Sequence, residues 1–158
     1  MSDVKYSWQK ANQQYEAAKH FLNVTFPSLQ DPKLFIAIIN NIFSSLEAGI
    51  ETILAHEHQQ GLVPKIEGEF SEKLQLFRNN SLERNNIAHD YLHLMVDLKK
   101  VIEAHKKSPI EFRRKGAFVI CDEGYESRSL TITDIKAHLA KAEDFLNVVE
   151  AITTETNK

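Results

Sequence analysis

Three residues near the middle of the chain have side chains that can act together on a phosphodiester. Arg84 is followed directly by Asn85, and His89 comes five residues after the arginine. A guanidinium stays charged at neutral pH and presents a planar fork of donors that fits a phosphate group. A neutral imidazole titrates close to pH 7 and can accept a proton from a hydroxyl. These three residues therefore predict a site that binds an anion and transfers a proton.

The spacing of these residues and of Tyr91 is that of a known motif. Arg84-Asn85-x-x-x-His89-x-Tyr91 resembles the signature of the HEPN superfamily. Its helical-bundle domains often carry a metal-independent RNase site at an Arg-polar-x-x-x-His motif. The His-x-Tyr extension is similar to that of HEPN toxins paired with a small nucleotidyltransferase antitoxin. The polar residue and the tyrosine make an accidental match far rarer than the Arg–His spacing alone.

The resemblance implies a role for each residue of the motif. His89 would take the proton of a 2′-hydroxyl of RNA, Arg84 would stabilise charge on the phosphate, and Asn85 would hold the imidazole or the phosphate. The product would be a 2′,3′-cyclic phosphate, and neither a metal ion nor another cofactor is expected. Tyr91 is similar to the tyrosine that the antitoxin adenylylates, which makes such an antitoxin a possible partner. A core aromatic is the other interpretation of Tyr91.

Two carboxylates are candidates to orient Arg84. Glu47 and Glu51 lie one turn apart on the most apolar predicted helix, and an acidic residue on that helix orients the arginine in the relatives that the motif resembles. Exposed positions on the outer face of the helix are an equally good interpretation of both residues. The segment His56-Glu57-His58 is predicted to be a polar helix end.

A basic stretch follows the motif and predicts a surface for the RNA backbone. Between residues 99 and 115 seven lysines and arginines stand against two glutamates, whereas the whole chain has a formal net charge of −3. Such cations supply much of the affinity of proteins for nucleic acids. A solvated helix end is the alternative, since cations stabilise the negative pole of a helix. The predicted RNA-binding residues are Lys99, Lys100, Lys106, Lys107, Arg113, Arg114 and Lys115.

Helical periodicity runs through most of the chain and predicts the elements that position these residues. Apolar residues recur at steps of three and four in segments beginning near residues 4, 31, 71, 81 and 133. Pro27 is expected to end the first helix, and residues 117–132 read as a β-hairpin around Asp122-Glu123-Gly124. The fold class is therefore all-α: an up-and-down bundle of four to five helices with a small β-hairpin before the last helix.

Helical geometry also bears on how the motif works. If the fourth helix begins near Ser81, Asn85 and His89 lie opposite its apolar stripe, and Arg84 lies about 140° away from His89. One copy would then not bring the two groups together on an ideal helix. A homodimer in which two copies face each other across a twofold axis would solve this, and HEPN relatives resemble such an arrangement.

Composition limits the class of protein. A length of 158 residues predicts one domain, 1–158, and 42% hydrophobic with 26% charged residues excludes a disordered or collagenous chain. The single Cys121 excludes a disulfide scaffold and favours a reducing, cytoplasmic environment, with no membrane segment expected. Two alternatives to an RNase remain: a non-catalytic HEPN-like module that binds RNA, nucleotide or protein, and a helical interaction module with an accidental motif.

Overall fold

The computed structural model describes residues 3–122, 124 and 126–155, most of them helical, with a small antiparallel sheet just before the last helix. Glu123 of the predicted hairpin turn and tail residues 156–158 lie outside the described residues. The helices are α1 (Asp3–His20), α2 (Phe26–Leu29), α3 (Leu34–Gln59), α4 (Phe70–Leu76), α5 (Leu82–Arg84), α6 (Asp90–Lys107) and α7 (Ile132–Glu155). The strands are β1 (Ile110–Arg114), β2 (Ala117–Cys121) and β3 (Ser127–Leu130).

Helix α3 lies at the centre of the core. It packs against α1, α6 and α7, and Ile39, Leu46 and Ile53 are completely shielded from solvent. An apolar stripe this broad needs neighbours on several sides, as its sequence predicts. By length and composition alone α3 could also cross a membrane, but the buried core helix of a soluble protein meets the same criterion.

The first helix does not end at Pro27. The chain continues from α1 through a π-helical turn, Phe21–Thr25, into α2, and the helix ends at Gln30 with a left-handed φ of 51°. Proline has no N–H to donate, but it is tolerated in the first turn after an irregularity in the helical hydrogen bonds. Pro27 occupies such a position at the start of α2, so the prediction of a break there is wrong.

The helix that carries the motif also differs from the prediction. The chain runs from α4 through a π-helical turn, Phe77–Ser81, into α5, so no break occurs at Ser81. The break comes after Arg84, where Asn86 has a φ of 52°. The Asn86 N–H bonds to the Glu83 carbonyl and the Ile87 N–H bonds to the Leu82 carbonyl. This is a Schellman motif, in which asparagine tolerates the left-handed backbone.

The sheet has three strands rather than the two of the predicted hairpin, in the order β1-β2-β3. The extra strand is β1, which a tight turn at Lys115–Gly116 joins to β2. Both turn residues have positive φ, 49° and 81°, as a type I′ hairpin turn requires. Phe118, Ile120 and Leu130 join the main core, so the sheet is anchored on the helices.

Candidate functional site

Side chains at the end of α5 converge on one buried carboxylate, that of Glu57 on α3. Arg84 Nη1 donates to Glu57 Oε2 at 2.6 Å, and Asn85 Nδ2 donates to the same oxygen at 3.2 Å. Ser81 Oγ donates to Glu57 Oε1. Only 2% of the Glu57 side chain is exposed. A buried carboxylate is strongly destabilising unless it is paired and hydrogen-bonded, and these three donors meet that requirement.

Glu57 therefore does what the sequence suggested for Glu47 or Glu51, and that expectation is wrong. Glu51 Oε1 accepts a hydrogen bond from Lys73 Nζ at 2.8 Å, and Glu47 lines a groove beside the same lysine. Glu57 follows Glu51 by six residues, which places it about 120° around the helix. Neither Glu47 nor Glu51 has a hydrogen bond or an ion pair with Arg84.

The predicted helix end at residues 56–58 is confirmed, because α3 ends at Gln59, but His56 and Glu57 in its last turn are buried. A signal for Glu57 was present in the sequence. It stands seven residues after Ile50 and three after Leu54, so it continues the apolar stripe of α3. A charged residue at a stripe position is rarely buried without a partner, and here the partner is Arg84.

Arg84 presents part of its guanidinium to solvent. About a third of its side chain is exposed, at 33%, and Nη1 is the atom bound to Glu57. Its Nε and Nη2 make no hydrogen bond within the described part of the chain. Because a guanidinium carries five N–H donors in a fixed plane, the anchored side chain keeps donors free for an anion.

Asn85 has a different orientation from the one predicted. Its amide nitrogen donates to the Ser81 carbonyl at 2.9 Å as well as to Glu57, so the side chain belongs to the buried cluster. Helical geometry does not apply between Asn85 and His89, because this segment is the turn between α5 and α6. The predicted alignment of Asn85 with His89 on one helix face is therefore wrong.

His89 lies immediately before α6 and is exposed. Its imidazole makes no hydrogen bond to any residue that the structure describes, while its carbonyl accepts from the His93 N–H at 3.1 Å. The Schellman turn thus separates Arg84, at the end of one helix, from His89, at the start of the next. Both side chains reach solvent on either side of a short turn.

Tyr91 is partly buried on the first turn of α6. Its ring lies 5.2 Å from that of Phe145, centroid to centroid, which is a packing contact with the core. Burial raises the pKa of the phenol, and the nearby Asp144 and Asp90 carboxylates raise it further. The hydroxyl therefore stays protonated at neutral pH. Both interpretations of Tyr91, a core aromatic and a reachable hydroxyl, are compatible with this position.

The basic stretch is divided among a helix, a strand and a turn. Lys99, Lys100, Lys106 and Lys107 lie on α6, Arg113 and Arg114 lie on β1, and Lys115 lies in the following turn. Acidic neighbours offset some of these charges: Glu103 Oε1 lies 3.4 Å from Lys99 Nζ and 3.8 Å from Lys106 Nζ. Arg113 Nη1 lies 3.4 Å from Asp31 Oδ1. Glu103 is one of the two glutamates within the stretch, and Asp31, which lies outside it, offsets one further charge.

Within residues 3–122, 124 and 126–155, no group of three or more His, Cys, Asp or Glu side chains is placed to hold a metal ion. Comparisons with protein-family models, curated proteins and solved structures find no match to this chain. A function has to be argued from the motif and from the geometry of the site.

Proposed function

We propose that the protein is a metal-independent endoribonuclease of the HEPN type, acting in the cytoplasm as a toxin or defence protein. The observation that carries the proposal is the arrangement of Arg84: the guanidinium is anchored on buried Glu57 and still offers donors to solvent. His89 is exposed across the adjacent turn. An up-and-down HEPN bundle is part of the proposal.

Arg84 would bind the phosphate whose bond is cleaved. Because Glu57 holds Nη1, the side chain loses little conformational freedom when an anion binds at Nε and Nη2. These donors would stabilise the negative charge that builds up on the phosphate oxygens in the transition state. Ser81 and Asn85 also donate hydrogen bonds to the Glu57 carboxylate, so Arg84 is not the only side chain that stabilises the Glu57 charge.

His89 would act as the general base. Its imidazole would take the proton of the 2′-hydroxyl while the 2′-oxygen attacks the adjacent phosphorus and the bond to the 5′-oxygen breaks. The leaving oxygen would receive a proton from water or from the imidazole of a second copy. The products would be an RNA ending in a 2′,3′-cyclic phosphate and an RNA with a free 5′-hydroxyl.

Partners follow from the same proposal. A homodimer would bring two copies of the motif to one cleft, and the lysines of α6 together with the cations of β1 and its turn would contact the RNA backbone. A nucleotidyltransferase antitoxin would inactivate the site by modifying the Tyr91 hydroxyl, adding bulk and charge beside His89.

A non-catalytic HEPN-like module that binds RNA, nucleotide or protein is the second candidate, because Arg84 has a structural role that does not depend on catalysis. Buried Glu57 needs a cationic partner whether or not the protein is an enzyme, so Arg84 has a structural role in either case. The motif arginine alone therefore does not separate the two functions. His89 does, because an exposed imidazole without hydrogen bonds contributes little to the fold.

The decisive experiment compares His89→Ala with His93→Ala. Both residues are exposed, and they stand four positions apart at the start of α6, so His93 is a matched control. Labelled single-stranded RNA is incubated with each purified protein in EDTA, and the products are tested for a 2′,3′-cyclic phosphate. We expect His89→Ala to lose at least about 100-fold in cleavage rate, and His93→Ala to cleave like the natural protein.

Melting temperatures of both variants should match that of the natural protein, which excludes unfolding as the cause. Cleavage that survives in His89→Ala would refute the proposed base. RNA binding without cleavage by the natural protein would favour the non-catalytic module. If the protein neither cleaves nor binds RNA, the motif match is accidental.

A further inference from the structure

Strand β1 forms an open edge of the sheet. It pairs with β2 on one side, through Arg114↔Ala117 next to the turn and Phe112↔Val119 further along. In a two-residue hairpin the pair that closes the turn is hydrogen-bonded, and bonded pairs then alternate with non-bonded ones. Arg114, Phe112 and Ile110 therefore direct their backbone groups towards β2. Glu111 and Arg113 direct their N–H and C=O groups outward, and these make no backbone hydrogen bond within the described part of the chain.

The sequence of this edge is complementary to itself. If two copies of β1 pair antiparallel with Phe112 opposite Phe112, Glu111 of each copy stands opposite Arg113 of the other. These are the two residues whose backbone groups face outward, so the same register also allows four interchain hydrogen bonds. Opposite charges across such a pair are stabilising, whereas like charges would be repulsive.

The exposed apolar residues of the strand fit the same arrangement. Ile110 is 53% exposed and Phe112 is 42% exposed, and the two side chains lie next to each other on the same face of the strand. Both lie on the sheet face that carries Val119, away from Phe118 and Ile120, which pack into the helical core. In the antiparallel register the two phenyl rings would contact each other across the axis. The aliphatic part of Arg114 would cover Ile110 of the other copy.

We propose that β1 is a homodimerisation edge, at which two copies of the chain pair antiparallel about a twofold axis through Phe112 to form one six-stranded sheet. An unprotected edge strand tends to pair with another strand, and this one carries charges that select a second copy of itself in a single register. Glu111 also accepts from His105 at 2.6 Å, and Arg113 contacts Asp31, so both side chains are already held near the edge.

Cysteine cross-linking tests the register. In a Cys121→Ser background, Phe112→Cys would place two thiols at a non-hydrogen-bonded pair, with Cα atoms about 4.5 Å apart, within reach of a disulfide. Ile110→Cys is the matched control, because residue 110 stands opposite residue 114 and the two cysteines would be about 14 Å apart. Under mild oxidation we expect a covalent dimer from the first variant only. Equal cross-linking of both variants, or of neither, would overturn the proposal.

Charge exchange tests the complementarity by sedimentation of the full chain over a range of concentrations. Glu111→Arg and Arg113→Glu each turn two symmetric attractive pairs into repulsive ones. Each should raise the dimer dissociation constant by roughly tenfold. The double variant restores opposite charges and should recover most of the affinity. A natural chain that stays monomeric at all concentrations, or a dimer that no variant affects, would overturn the proposal.

The proposed sheet contact does not involve Arg84 or His89, so it is a second twofold interface, separate from the motif cleft of the proposed RNase dimer. Glu111→Arg should therefore change the oligomeric state of the chain without removing a group from the proposed RNase site, whereas Arg113→Glu also removes one of the cations proposed to contact RNA. A loss of cleavage in His89→Ala with an unchanged dimer would keep the two proposals separate.

Discussion

Replacing Arg84 with alanine should destabilise the whole fold, in addition to any effect on RNA. Arg84→Ala removes the 2.6 Å hydrogen bond to the buried Glu57 carboxylate and leaves it with Ser81 and Asn85 as donors. Breaking a fully buried ion pair costs about 3–5 kcal/mol. Because Arg84 is 33% exposed and two donors remain, we expect a loss of about 2 kcal/mol in the free energy of unfolding.

Urea unfolding followed by circular dichroism measures this loss, and the melting temperature should fall by about 4–8 °C for a domain of this size. Lys106→Ala is the control, because it removes an exposed ion pair with Glu103 and should change the stability by less than about 0.5 kcal/mol. A double-mutant cycle between Arg84→Ala and Glu57→Ala should give a coupling of at least about 1 kcal/mol. Strictly additive effects, or an Arg84→Ala variant as stable as the natural protein, would refute the reasoning.

Three further predictions concern the core and its titratable groups. Gly49→Ala should destabilise the fold by about 1–3 kcal/mol in urea unfolding, because the new Cβ would lie 2.8 Å from Phe145 Cε2. Burial and the hydrogen bond to Glu143 raise the pKa of Tyr15 to about 12, above the ordinary value of 10.0. Tyr15 therefore stabilises the fold below pH 10, and between pH 10 and 12 the natural protein should lose about 2 kcal/mol more than Tyr15→Phe. Burial lowers the pKa of His138 below 6.5, so unfolding measurements should show stability falling as the pH drops below 6.5, and less steeply in His138→Phe.

Periodic apolar residues were enough to predict the main helices. The spacing of Ala11, Tyr15 and Ala18 identified the buried face of α1, and the broad stripe of α3 identified the central helix. These predictions succeed because burial of one face imposes the helical period on the sequence itself. The motif residues were also visible as residue types at a fixed spacing.

The local breaks were harder to predict. Pro27 and residues 79–81 look like helix ends in the sequence, yet the helix continues through a π-helical turn at each place. Ser81 is fully buried and donates to Glu57, a contact that no neighbour in the sequence supplies. Strand β1 was missed because its apolar and polar alternation is short, with only Ile110 and Phe112 as apolar residues, and because its pairing is set by the Lys115–Gly116 turn and β2.

The sequence by itself determined the central apolar helix and the identity of the motif side chains. Helical periodicity and side-chain chemistry depend only on which residues stand at neighbouring positions, so both can be read without the tertiary structure. Tertiary structure alone decided that Glu57 holds Arg84, rather than Glu47 or Glu51. Arg84 and Glu57 are 27 positions apart and meet only when the segment that carries Arg84 packs against α3. The packing angle selects Glu57 rather than Glu47 or Glu51, and this angle depends on the shapes of all the side chains at the contact.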